Sequence, residues 1–268
     1  MSKRVIFLLW VCLSLPLLVL LLSAWIGLDG HRVNLDAVLS GMSEAHLLGC
    51  DALGRDVLSR LAEGLQLSLF VGVVVVMLGA CFGVTFGMLS AWYGGWVDIC
   101  FMRIADVVLS FPGILLAIAL AAMLGSGVDN LILALVVVGW VGFARLSRVQ
   151  VLSLKSSPFV EAARANGMRL SYMMIRHLLP NIAAPLLVEA SFGLAAVMIG
   201  EAGLSFLGIG VQPPNASLGT MIREGTSLML VQPSLVIFPG LMLFLLVMAA
   251  NLLGDALRDY LDVYVRRP

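Results

Sequence analysis

Charge is scarce in this chain. Asp, Glu, Lys and Arg make up only 12% of its 268 residues, while 61% are apolar. Soluble domains carry about 25% charged residues, so water is excluded as the main solvent of this fold. Lysine is rarer still. Lys3 and Lys155 stand alone, and neither ends the Gly-x4-Gly-Lys-Ser/Thr loop whose lysine reaches ATP phosphates. Hydrolysis of ATP by that route is excluded within this chain. His31, His46 and His177 are scattered and form no His-Glu-x-x-His pair, which leaves a zinc peptidase or serine-type membrane hydrolase without its constellation. Cys12, Cys50, Cys81 and Cys100 lack the paired spacing of a disulfide framework or zinc site. The net charge of zero offers no field for nucleic acid.

What is present is a series of long apolar runs. A bilayer core of about 30 Å takes about 20 apolar residues as a helix. Six runs qualify, Val5–Leu28, Leu67–Trp92, Ile99–Leu124, Leu131–Leu146, Ile182–Val211 and Leu235–Leu253. The expected fold is therefore an all-α membrane protein of about six spans. Lys3-Arg4 before the first run imitates a signal peptide. Its apolar stretch exceeds the roughly 7–15 residues of such a segment, so a retained anchor is expected over residues 1–28.

Basic residues set the expected orientation. Twelve lie on one set of ends (Lys3, Arg4, Arg103, Arg145, Arg148, Lys155, Arg164, Arg169, Arg176, Arg258, Arg266, Arg267), against Arg32, Arg55, Arg60 and Arg223 on the other. The positive-inside rule then places both termini and the 147–181 loop in the cytoplasm. Segments 29–66 and 212–234 face outward. The membrane core is expected over 67–255, with a cytoplasmic loop at 153–180 and a cytoplasmic tail at 256–268.

The inward loop carries helix punctuation. Ser157 is expected to cap a helix with Pro158 in its first turn, and Asn166-Gly167 supplies a left-handed stop. Ser171 is expected to cap a second helix, Tyr172–Leu179, ended by Pro180. Met168, Leu170, Tyr172, Met173 and Met174 make this water-facing loop apolar. An apolar, methionine-rich surface suits a partner that changes shape. A loop lying on lipid headgroups is the plainer reading of the same pattern.

Glu161-Ala162-Ala163, then Gly167, then His177-Leu178-Leu179-Pro180 resembles the EAA loop of bacterial ABC importer permeases. Segments 46–61, 106–112, 204–210 and 251–259 are similar to the C-type subunit of dipeptide, oligopeptide and nickel permeases. Cys50 departs from that pattern, where threonine is expected, and the modest outward segment leans toward the nickel-type branch. The resemblance implies a type I importer permease fold in the bacterial inner membrane. It implies that Glu161, Ala162, Ala163, Gly167, His177, Leu179 and Pro180 couple to an ATPase. The implied partners are a second, B-type permease subunit, two cytoplasmic subunits that hold ATP and magnesium, and an extracytoplasmic binding protein. Nickel, as a chelate, and di- or oligopeptides are the implied cargoes. No cofactor or metal is expected in the chain itself.

An ion-coupled secondary transporter is the rival reading. It would depend on intramembrane acids and on inverted repeats or broken helices. Asp106, Glu189 and Glu201 are the candidate acids, with Arg103 three residues before Asp106 as a neutralising partner. Asp106 and Glu201 are also the candidates for lining a transport path. Glu201 has a structural alternative, a carboxylate bonded to backbone or facing a partner subunit. Small residues at Gly72, Gly79, Gly83 and Gly87, and at Gly193, Ala196 and Gly200, mark close helix contacts. For 29–66, a surface for the binding protein and a folded plug of Gly-Asp turns (Gly49 to Asp56) stand as equal readings.

Overall fold

The computed structural model describes residues 3–26 and 29–265. Arg266 and Arg267 of the expected tail, and residues 1, 2, 27 and 28 of the expected anchor, lie outside them. Ten α-helices run in order among the described residues. They are α1 (Lys3–Ile26), α2 (Val57–Tyr93), α3 (Gly95–Leu109), α4 (Gly113–Leu124), α5 (Val128–Leu154), α6 (Pro158–Ala165), α7 (Leu170–Met173), α8 (Leu179–Phe206), α9 (Leu218–Thr226) and α10 (Ser234–Val265). Five helical segments are long and apolar enough to cross a membrane, and α3 with α4 makes a sixth if the bent pair counts as one span. All-α architecture is thus borne out.

The third run differs from a continuous span. It breaks by 88° between α3 and α4. Pro112 lacks the N–H an unbroken helix needs and serves as the N-cap of α4. A broken helix, which hydropathy did not announce, is therefore present.

The centre of the molecule is a crossing of α2 with α5. A Cβ on Gly83 would overlap the Trp140 carbonyl oxygen, and one on Gly87 would overlap Ser147 Oγ. Only hydrogen atoms fit there, so the backbones approach closely and gain dispersion contact where lipid offers no hydrophobic drive. Gly72 instead faces Leu194 and Met198 of α8. The α2 glycines therefore serve two neighbours, with α8 at one end and α5 at the other.

Helix α2 starts at Val57 and has 37 residues, a length of about 55 Å at 1.5 Å per residue. Its two ends meet the two parts of the chain that are built from loops and short helices. Segment 29–56 and α9 meet at its start, while the α5–α8 connection meets it near Trp92.

Candidate coupling loop and transport path

The connection between α5 and α8 is a compact hinge. Helix α6 closes with Gly167 at φ +71°, where the Gly167 N–H donates to Arg164 O (2.9 Å) and the Met168 N–H donates to Ala163 O (3.1 Å). That pairing satisfies the last free carbonyls of α6 and reverses the chain. Space around Gly167 is open, with no heavy atom within 4 Å of where a Cβ would stand. Its glycine is required by backbone angle, not by crowding.

Ser157 precedes α6 but does not cap it through its side chain, because its hydroxyl donates back to Leu154 O at 2.5 Å. Ser171 does not cap the second helix either; Arg169 holds that position. The expected stop at Pro180 is also corrected. Helix α7 passes through a wide π turn, Met174–Leu178, directly into α8. Proline interferes with the carbonyl four residues earlier, and the i→i+5 spacing of a π turn opens room for it. Pro180 thus lies inside a bent rod that continues into a membrane span.

The faces of this unit also differ from expectation. Met173 is buried, and Met168, Leu170 and Met174 pack half-buried against Val160, Ala163 and Leu178. The methionines are the inner packing of the hinge. Its exposed side presents Phe159, Glu161, Ala162, Tyr172 and Ile175. Of the seven expected coupling residues, Glu161, Ala162, Gly167 and Pro180 are exposed, His177 and Leu179 are intermediate, and Ala163 is buried. The His177 ring lies edge-on to Tyr172 at 6.0 Å.

Two contacts that the sequence does not announce hold this unit on the spans. Lys155 Nζ donates to the carbonyls of Trp92 (2.6 Å) and Ala91 (3.0 Å), which α2 leaves free at its C-terminal end. The Arg164 guanidinium lies 4.2 Å from the centroid of the Trp92 ring. No spacing rule connects residues 60 or more positions apart, so only the fold reveals these ties.

Near the same end, α3 and α5 are joined by ion pairs. Arg148 makes a two-pronged contact with Asp98, with both N–H···O distances 2.6 Å. Ser90 Oγ also donates to Asp98. Asp106 pairs with Arg145 (2.5 Å), not with Arg103 as its spacing suggested. Arg103 and Asp106 instead stand side by side, lining a cleft of about 510 Å³.

Glu201 has a different setting. It is fully buried, and its two oxygens accept hydroxyls from Ser68 of α2 (2.7 Å) and Ser205 of α8 (2.8 Å). Side-chain hydroxyls, not backbone, provide the bonding. The carboxylate ties two spans together. Glu189, half-buried, abuts Gly142 of α5.

At the opposite end of α2, segment 29–56 is a folded unit. Asp51 Oδ1 accepts the N–H groups of Leu53 (2.8 Å) and Arg55 (3.0 Å), and Oδ2 accepts from Arg55 Nε (2.7 Å) and Arg60 Nη1 (2.6 Å). Arg55 and Arg60 both reach Glu224 of α9, at 3.0 and 2.7 Å. Asp56 caps α2 through Ser59 N–H, and His46 Nδ1 lies 2.9 Å from its other oxygen. Gly54, at φ +69°, sits so close to Asn34 that a Cβ would overlap its carbonyl oxygen. The Gly-Asp turns are thus built into a fastening for α9. Burial pushes the Asp51 carboxyl up, but the two N–H bonds and the charges of Arg60 and Arg55 outweigh it and hold it below its usual range.

Residues 83–267 match the family model described as binding-protein-dependent transport system inner membrane component. The chain belongs to that family. The permease is 44% identical to the glutathione transport system permease protein GsiD of Pectobacterium atrosepticum, over 85% of its own length and 75% of that relative. It is 43% identical to GsiD of Escherichia coli O6:K15:H31, over 86% of its length and 76% of that relative. Among solved structures, the inward-facing MetNI methionine ABC transporter shares its fold, with TM-score 0.57 and 19% identity over 74% of the permease and 95% of that chain. It is thus a multi-pass inner-membrane permease subunit of an ABC importer, a class that works with a second permease, ATPases and a binding protein. Membership decides against the ion-coupled rival despite the broken third span.

Proposed function

We propose that this permease forms half of the translocation path of an importer for small peptides, and that Glu161 to Pro180 is where its ATPase docks. The exposed face of the α6–α7 hinge carries the docking assignment. It presents Glu161 and Ala162 with Phe159, Tyr172 and Ile175, while its inner face is packed onto the spans. Apolar area left open beside charge is the usual mark of a protein contact. Because the hinge continues into α8 without a flexible joint, closure of an ATPase dimer would turn the spans. ATP and magnesium would be held by that partner. The loop would lie in the cytoplasm, with segment 29–56 and α9 outside, as the arginine count favours.

Peptide cargo draws support from the two glutathione permeases, which are related along most of the chain. Nickel as a chelate is the second reading. In this proposal Asp106 lines the path, and Glu201 binds spans together. A B-type permease would supply the other half.

The decisive test compares uptake of labelled glutathione, a labelled dipeptide and labelled nickel in cells with and without this chain. Loss of peptide uptake is expected. Loss of nickel uptake alone would reverse the cargo assignment. The ATPase subunits should co-purify with the intact chain and be shed when Ala162 is replaced by Asp on the docking face.

A further inference from the structure

The cleft between α3 and α5 contains an unused cation. It is lined by Asp98, Met102, Arg103, Asp106, Arg145 and Arg148 and holds about 510 Å³. Charges within membrane spans are costly and mark pathways or water-filled cavities. Two of the three arginines are committed, since Arg148 takes both oxygens of Asp98 and Arg145 takes Asp106 Oδ1. Arg103 is exposed and makes no hydrogen bond or ion pair with any described residue. It precedes Asp106 by three positions on α3, a spacing that puts the two on one helix face with Cβ atoms about 5–6 Å apart. The cleft therefore offers a free guanidinium beside a carboxylate that still has one oxygen unbonded.

We infer that this cleft is a cargo-binding station at the coupling-loop end of the path, where Arg103 takes the carboxylate of a peptide zwitterion and Asp106 receives its ammonium. This rests on the peptide reading above. A zwitterion suits the site because both signs are present: Arg103 is unpaired among the described residues, and Asp106 keeps one oxygen that Arg145 does not take. The station lies beside the end of α2 that Lys155 ties to the hinge, so release of cargo there and movement of the hinge would occur in one region.

A zwitterionic lipid headgroup shares this chemistry, and the test separates the two. The complete importer is placed in vesicles of phosphatidylcholine, with and without added phosphatidylethanolamine. A labelled dipeptide is delivered by saturating binding protein, and peptide moved per ATP hydrolysed is measured. Arg103→Gln should lower that ratio about tenfold, the scale of one charge-assisted hydrogen bond, and Arg103→Lys should recover most of it. Without binding protein, the importer should bind the dipeptide but not its C-terminal amide, and Arg103→Gln should erase that distinction. An unchanged ratio in Arg103→Gln, or equal binding of acid and amide by the wild type, overturns the proposal. An Arg103 effect seen only with phosphatidylethanolamine assigns the cleft to lipid and also overturns it. If the wild type moves no peptide at all, the peptide reading falls first and takes this inference with it.

Discussion

The Lys155 ammonium lies 2.6 Å from the carbonyl oxygen of Trp92, so the first residue after α5 is fastened to the end of α2. The free carbonyls there carry the negative end of the helix dipole, and the lysine neutralises it. Lys155→Met keeps the stem but removes the bonds. Faster amide exchange over 158–165 and a several-fold loss of cargo moved per ATP are expected, the former measured by mass spectrometry on the assembled importer. Unchanged exchange would show that Arg164 and Trp92 hold α6 by themselves.

Gly167 turns the chain at φ +71° in open space. A β-branched residue in that conformation costs on the order of 1–3 kcal/mol. Gly167→Val should insert into the membrane normally yet lose uptake, because the angle between α6 and α7 shifts. Gly167→Asn, which tolerates this conformation, should retain most transport. Full uptake by the valine variant would refute the hinge assignment.

Crowding governs Gly87, in contrast. A Cβ there would overlap both Ser147 Oγ and the Ala144 carbonyl oxygen, whereas the nearest contact at Gly139 is 4.0 Å away. Overpacking of this kind costs about 1–3 kcal/mol or more. Gly87→Val should markedly lower the melting temperature of the detergent-purified importer, while Gly139→Ala should leave it nearly unchanged. Equal melting of the two variants would argue against the close α2–α5 crossing.

Acid should loosen the far end. The Asp51 carboxyl is held in the folded state below its ordinary pKa of 3.8. Its contribution is complete well above that value and is lost as pH falls through the still lower folded pKa. Proteolysis of segment 29–56 should therefore accelerate below about pH 4, not above it. Asp51→Asn should bring the same opening at neutral pH. Cys50 provides a readout there: it is fully buried, and burial pushes its thiol pKa up. It should resist a charged maleimide in the wild type and react in Asp51→Asn.

How much of this was legible in the chain differs by residue. The long apolar runs announced the spans, since hydropathy over about 20 residues is a local property. Gly167 was found because a left-handed stop is written in two adjacent residues. The glycines of α2 were recognisable as a contact stripe, but their division between α5 and α8 was not. Asp106 was visible as an intramembrane acid, while its partner Arg145 lies 39 positions away. The methionines of the hinge pass for surface in the sequence, because a short helix pair does not declare which of its faces the spans will cover.

The sequence alone therefore determined that the chain enters lipid, which of its runs are apolar enough to cross, and where the loop between its fourth and fifth runs reverses. Each of those depends on solvation and backbone angle within a few residues. The tertiary structure decided the rest: that Arg103 is left free while Arg145 and Arg148 are taken, that Glu201 is enclosed between two serines, and that Lys155 seals α2. Those outcomes come from side chains on different helices competing for the same few oxygens, and only packing brings the competitors within reach.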